Sequence, residues 1–230
     1  MMNRRAFLLS GAAVAALAGY AGLRTFTPGG SIADDLLLPG AANAQSTDQP
    51  AEVDLSRVEE MAQGNPDAAV TIIEFSSFTC PHCARFNQTV YHELKAAYVD
   101  TGLVRYVKRE VYFDAYGLWA GMVARCGGAM RYFGIAEILY TEQREWAHGD
   151  DANAVADNLR RIGRRAGMTD EQLGACLTDR DTALAMMQVY QNGVEEFGIN
   201  STPSFVINGT LYSNMSFDEF KAIIDPLLEG

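Results

Sequence analysis

One ten-residue stretch constrains this chain more than any other: Glu74-Phe75-Ser76-Ser77-Phe78-Thr79-Cys80-Pro81-His82-Cys83. Two thiols separated by two residues fit the ends of a single helical turn. Cys80 falls at the helix N-terminus, Pro81 at the first helical position, where its missing N–H is no loss, and Cys83 one turn on. Free backbone N–H groups and the helix dipole favour an anion at that terminus, so a Cys80 thiolate is stabilised there. His82 stands beside it and can add positive charge or a hydrogen bond. A stabilised thiolate favours the reduced dithiol and makes the corresponding disulfide more oxidising.

The flanks agree with this placement. Ala69 to Phe75 is a short apolar run rich in β-branched residues (Val70, Thr71, Ile72, Ile73), the pattern of a buried strand. After the pair, Cys83, Phe86, Val90, Leu94 and Ala97 recur at helical spacing, and Gly102 marks the stop. Strand, turn, CxxC and helix make a thioredoxin-type redox arrangement. Half of a zinc site is the competing reading, disfavoured because no second close cysteine pair follows. The stretch resembles the DsbA family of exported thiol–disulfide oxidoreductases, whose signature is Cys-Pro-His-Cys after a Glu-Phe strand end. It is also similar to DsbA-like domains that open with Gly-Asn-Pro-Asp-Ala, present here as Gly64 to Ala68. The likeness runs from roughly Glu52 to the C-terminus.

At 230 residues and 48% apolar content the chain can bury a sizeable core. A net charge of −11 argues against nucleic acid as a partner. Arg4 and Arg5 precede an uncharged stretch from Ala6 to Leu23, and Ala42-Asn43-Ala44 offers a small-residue cleavage site. Residues 1–44 therefore read as an export signal and the start of a linker, with an uncleaved anchor as the rival. The Asn3-Arg4-Arg5 segment resembles a twin-arginine signal, with the general export route as the alternative. The linker reading continues through residues 45–52. The expected location is periplasmic, membrane-anchored if the signal stays on.

The domain proper occupies residues 53–230. Val53 to Ala62 reads as a short amphipathic element, Leu103 to Tyr112 as a strand. From about residue 116 to 197 the period is helical. Leu118, Trp119, Met122, Val123, Cys126 and Met130 form one stripe, and Thr169-Asp170-Glu171-Gln172 has capping-box spacing. Ala183, Met187, Tyr190, Val194 and Phe197 share a face of the last helix in this region. Strands return at Ser204 to Ile207 and Thr210 to Tyr212, flanking the hairpin signal Asn208-Gly209. Ser216 caps a closing helix. The expected fold is α/β: thioredoxin-like, interrupted by an inserted α-helical domain, the architecture that the DsbA resemblance also implies.

Several further residues carry expectations. Thr202-Pro203 precedes the hairpin; in thioredoxin-like folds this proline is cis and faces the CxxC, leaving backbone groups free to pair with substrate. Many DsbA members carry Val before it, whereas Thr is similar to isomerases and other branches. Glu74 lies in an apolar strand, where an acid is expensive unless paired or protonated. The resemblance gives it the family's proton-relay role and suggests Lys108 as its partner. Cys126 and Cys176 are either buried hydrophobes or a structural disulfide, and an oxidising compartment favours pairing. A zinc site using all four cysteines is poorly spaced. No metal and no bound cofactor are expected, the redox group being Cys80–Cys83 itself. The expected partners are unfolded or newly exported proteins and, by the resemblance, a membrane quinone-linked oxidase. The alternatives are an isomerase or reductant of the same fold, or a non-catalytic metal- or substrate-binding module.

Overall fold

The structure, a computed structural model, describes residues 52–149 and 151–229. The export segment and nearly all of the linker therefore lie outside the described residues. Five strands form one sheet in the order β1-β3-β2-β4-β5. Their ranges are β1 Met61–Gly64, β2 Val70–Ser76, β3 Val104–Glu110, β4 Ser204–Ile207 and β5 Thr210–Ser213. β2 runs parallel to β3, and the β1–β3, β2–β4 and β4–β5 pairs are antiparallel. Asn208 and Gly209 both have positive φ, at 44° and 85°, as the two-residue turn between β4 and β5 requires.

Helix α1 (81–99) follows β2, and α8 (Phe217–Glu229) closes the chain. Both cover one face of the sheet, where Phe86, Leu94 and Tyr98 meet Phe220 and Ile224 over Ile72, Val104 and Tyr106. Between β3 and β4 the chain leaves the sheet for the helical insertion: α2 Ala115–Cys126, α3 Ala129–Thr141, α4 Gln143–Trp146, α5 Ala152–Arg165, α6 Asp170–Thr178 and α7 Arg180–Phe197. Its core includes Leu118, Val123, Tyr132, Leu139, Trp146 and Leu159. Each such large apolar side chain, fully buried, contributes about 1.5–3 kcal/mol. Helix α7 returns along the opposite sheet face, where Tyr190, Val194 and Phe197 pack with Phe75 and Val206. A Cβ on Gly193 would sit 3.0 Å from the Phe75 ring, so the missing side chain sets how closely α7 approaches. The α/β fold with a helical insertion is thus present.

Local expectations are corrected in four places. Val53 to Ala62 is not one amphipathic element but a single 3-10 turn, Leu55–Arg57, followed by edge strand β1. Four residues carry too little periodicity to announce a strand, and pairing with β3 defines it. Gly64 ends β1 at φ 84°, where a Cβ would meet the Val104 carbonyl at 2.2 Å. In α1, Val90 and Ala97 are half-buried while Tyr91 and Tyr98 are buried. Two π-helical turns, Asn87–Tyr91 and Lys95–Val99, add a residue each and rotate the inward face. Met130 is fully exposed, because Gly127 and Gly128 break the helix and α3 starts with a new orientation. The α7 stripe is half-buried; the fully buried residues of that helix are Ala185, Met186 and Gly193.

The Thr169/Gln172 capping box forms with both reciprocal bonds, and Ser216 pairs with Glu219 in the same way at α8. Cys126 at the end of α2 and Cys176 in α6 form a disulfide with Cα atoms 5.9 Å apart. Both cysteines are half-buried rather than fully enclosed. Among the described residues no helix is long and apolar enough to cross a membrane.

Candidate active site

Strand β2 ends at Ser76, and four residues later Cys80 takes the N-cap position of α1 with extended backbone (φ −82°, ψ 119°) and Pro81 directly after it. The two thiols are free in the structure, Cys80 half-buried and Cys83 fully buried. The Cys80 thiol is lowered to about 5. The hydrogen bond from the Cys83 thiol is the main cause, opposed by partial burial. Thr202 and the backbone N–H groups of Cys83 and His82 then add to the lowering. An N-cap anion accepting from the second and third helical N–H groups is the same geometry that makes Ser or Asp a good cap. His82 thus contributes a backbone N–H, and its side chain is exposed. Cys83 behaves oppositely: burial pushes its thiol far above the usual range, reinforced by the Cys80 and Glu74 charges.

Pro203 follows a cis peptide bond from Thr202. The Cys80 Sγ lies 3.6 Å from the Thr202 carbonyl oxygen, so the two segments, 122 residues apart, meet at one point. Cys80, Cys83, Thr202 and Pro203 are therefore brought together.

Beneath them Glu74 and Lys108 face each other in register on β2 and β3. Both are buried, and Lys108 Nζ donates to Glu74 Oε2 at 2.6 Å. The Tyr106 hydroxyl donates to the same oxygen at 2.5 Å, leaving Glu74 Oε1 with no partner among the described residues. Lys108 Nζ also lies 4.7 Å from the centre of the Tyr140 ring. Burial holds the Tyr106 and Tyr140 phenols protonated, so both act as donors. A solvent-facing Glu74 is excluded.

The helical insertion supplies two residues that motif reasoning missed. Gln143, at the start of α4, donates through Nε2 to the carbonyls of Phe78 (2.7 Å) and Cys80 (3.0 Å). Asp114, the N-cap of α2, accepts from Gly117 N–H through Oδ1 and from the Thr79 hydroxyl through Oδ2. The turn carrying Cys80 is thus held from both sides. Asp114 could have been suspected as a cap before the Tyr116–Cys126 helical pattern. Gln143 has no sequence signal, being a lone amide in a polar stretch. No group of three or more His, Cys, Asp or Glu arranged to hold a metal occurs among the described residues. Two of the four cysteines are consumed in the Cys126–Cys176 bond, which overturns a four-cysteine zinc site.

These features define a protein class, a thioredoxin-fold domain with a CxxC pair facing a cis-proline. Comparison gives the same fold: a family model described as thioredoxin matches residues 56–226, and the chain belongs to that family. Its architecture is that of DsbA proteins. Wolbachia pipientis alpha-DsbA1 superimposes with a TM-score of 0.68 at 23% identity, covering 86% of this chain and 96% of that one. Oxidised BdbD from Bacillus subtilis gives 0.66 at 20% identity, over 77% and 96%. In sequence, a Rickettsia bellii protein with the provisional name protein-disulfide oxidoreductase is 33% identical over 174 residues, 74% of this chain and 65% of that protein. The chain spans less than two thirds of the Rickettsia relatives it matches. The Bacillus subtilis disulfide bond formation protein D is 23% identical over 176 residues, 73% of this chain and 76% of that protein.

Proposed function

We propose that this protein is an exported thiol–disulfide oxidoreductase that introduces disulfides into newly translocated proteins, working in the periplasm. The observation that carries the reading is the placement of the two thiols: Cys80 half-buried at the N-cap of α1, 3.6 Å from the Thr202 carbonyl beside the cis-proline, and Cys83 buried one turn on, which lowers the Cys80 thiol and raises that of Cys83. In the oxidised enzyme a substrate thiolate attacks Cys80 Sγ, forming the mixed disulfide and releasing Cys83 as a thiolate. Cys83 takes up a proton from solvent, and Glu74 is the group we assign to relay it, its Oε2 held in place by Lys108 and Tyr106. A second substrate thiolate then attacks the substrate sulfur of the mixed disulfide. Cys80 leaves, readily because its thiolate is stabilised. The substrate loses two electrons and gains a disulfide; the enzyme keeps both electrons as the reduced dithiol. Thr202 and Pro203 offer their main chain to the substrate segment. The Cys80–Cys83 pair is itself the redox group, and its reoxidation is assigned to a membrane quinone-linked oxidase, as the DsbA-type likeness suggests.

A second reading, isomerase or reductant, has the Thr202 position in its favour, since many oxidases of this type carry Val there. A strongly stabilised Cys80 thiolate weighs toward oxidation. The test is turnover on a reduced, unfolded protein together with the reduction potential of Cys80–Cys83. Given a substrate thiol activated as a thionitrobenzoate disulfide, Cys83→Ser should hold the mixed disulfide as thionitrobenzoate leaves, and Cys80→Ser should not. The reverse trapping pattern, or a potential below that of the glutathione pool, would overturn the oxidase assignment.

A further inference from the structure

A groove of about 600 Å³ runs beside the N-terminus of α1, between that helix and the corner joining α3 to α4. Pro81, His82, Arg85, Gln88, Arg144 and Glu145 are among its lining residues. We propose that it is a subsite for acidic side chains of the polypeptide being oxidised, selecting substrates with Asp or Glu near the reacting cysteine. The inference rests on the oxidase reading above and deepens it.

Charge is the first argument. The chain has 29 acidic and 18 Lys or Arg residues, so its guanidinium groups have carboxylates in excess to pair with. Arg57, Arg105, Arg109, Arg125, Arg164 and Arg165 each form an ion pair. The Arg85 and Arg144 guanidiniums have no acidic partner among the described residues, both are exposed, and both line this groove. Glu145 is the acid lining it, set against Arg85, Arg144 and the exposed His82. A surface that is acidic overall therefore turns basic at the edge of the reactive thiol.

Position is the second argument. A chain whose cysteine bonds to Cys80 beside Thr202 and Pro203 and runs on past the start of α1 lies across neighbouring Pro81 and His82, which line one end of the groove. Arg85 is five residues beyond Cys80 on the same helix, about 7.5 Å along its axis at about 1.5 Å per residue. An extended peptide rises about 3.3 Å per residue, so an acid two positions from its cysteine reaches Arg85. A small anionic thiol such as glutathione offers the same carboxylate chemistry, but reach along the groove favours a polypeptide.

The test uses dithiol peptides identical except for Glu, Gln or Lys two positions from one cysteine, on either side. With the wild-type protein, kcat/KM should be about threefold to tenfold higher for Glu than for Lys, the size expected of one or two exposed ion pairs. The contrast should shrink as salt is raised. With each rate taken relative to the Gln peptide in the same variant, it should vanish in Arg85→Gln/Arg144→Gln and reverse in Arg85→Glu/Arg144→Glu. Loss of the Gln peptide's oxidation in the wild type would count against the oxidase reading, not the groove. Capture by Cys83→Ser of the same peptides, activated as thionitrobenzoate disulfides, reports the preference without turnover: Cys80 attacks the peptide sulfur and thionitrobenzoate leaves. Equal capture of Glu and Lys peptides, or a preference surviving in Arg85→Glu/Arg144→Glu, would overturn the proposal. Discrimination confined to glutathione against a neutral thiol would overturn the polypeptide assignment.

Discussion

The side-chain amide of Gln143 lies 3.0 Å from the carbonyl oxygen of Cys80 and 2.7 Å from that of Phe78. The helical insertion thereby grips the main chain on both sides of Thr79. Gln143→Ala should leave the buried Phe78 carbonyl without a donor, at about 1–3 kcal/mol. It should also loosen the N-cap geometry that aims two N–H groups at Cys80, raising the thiol toward its ordinary value. Gln143→Glu should be worse, since a carboxylate cannot donate to either carbonyl. Ultraviolet titration of the thiolate checks this; an unmoved Cys80 with reduced stability would leave Gln143 a purely structural clamp.

The pH dependence of the reduction potential follows from the two thiols. Cys80 is depressed to about 5, so its ionisation stabilises the reduced form above that pH, and this stabilisation is lost as pH falls through about 5. Cys83 is raised and keeps its proton across the neutral range. Reduction then takes up one proton per two electrons above about pH 5 and two below it. The potential should fall by about 30 mV per pH unit above the break and about 59 mV below it. A constant slope from pH 4 to 8 would be incompatible with this ionisation of Cys80.

The site was legible wherever chemistry is local in sequence. Cys80, Pro81 and Cys83 define a helix start by themselves, and the hairpin after Pro203 announced the second wall of the site. Glu74 was conspicuous because an acid interrupts an apolar run. Partners contributed by distant segments were harder to see: Lys108 came only through family likeness, and Gln143 not at all. The π turns of α1 were invisible for a related reason. They answer the packing of Tyr91 and Tyr98 against the sheet side, which a fixed 3.6-residue period does not contain.

Glu74 and Lys108 form an ion pair that is buried at both ends. Removing one partner strands a charge in the core, so Glu74→Gln or Lys108→Met should each cost about 3–5 kcal/mol, and the double change distinctly less than their sum. In Lys108→Met, the Tyr106 hydroxyl still donates to Glu74. If Glu74 delivers the proton to Cys83, Glu74→Gln should slow mixed-disulfide formation more than its stability loss explains. Stopped-flow exchange under conditions where the variant is fully folded separates the two effects.

The Cys126–Cys176 bond should prove structural rather than catalytic. It joins α2 to α6 across a separation of 50 residues, a closure of about 4 kcal/mol in the chain-entropy model. Neither cysteine follows the proline-led helix start that activates Cys80. Arg125, next to Cys126, is fixed by its 2.6 Å ion pair with buried Glu110 and by the Glu59 carbonyl, so the end of α2 stays anchored to the sheet when the disulfide is removed. Cys126→Ser/Cys176→Ser should therefore lose thermal stability yet keep most of its thiol-oxidising activity once folded. Because both cysteines are half-buried, strong reductant should reach the bond in the native protein after the Cys80–Cys83 disulfide has opened. Activity lost with stability unchanged would indicate an electron relay between the two pairs and would sink the structural assignment.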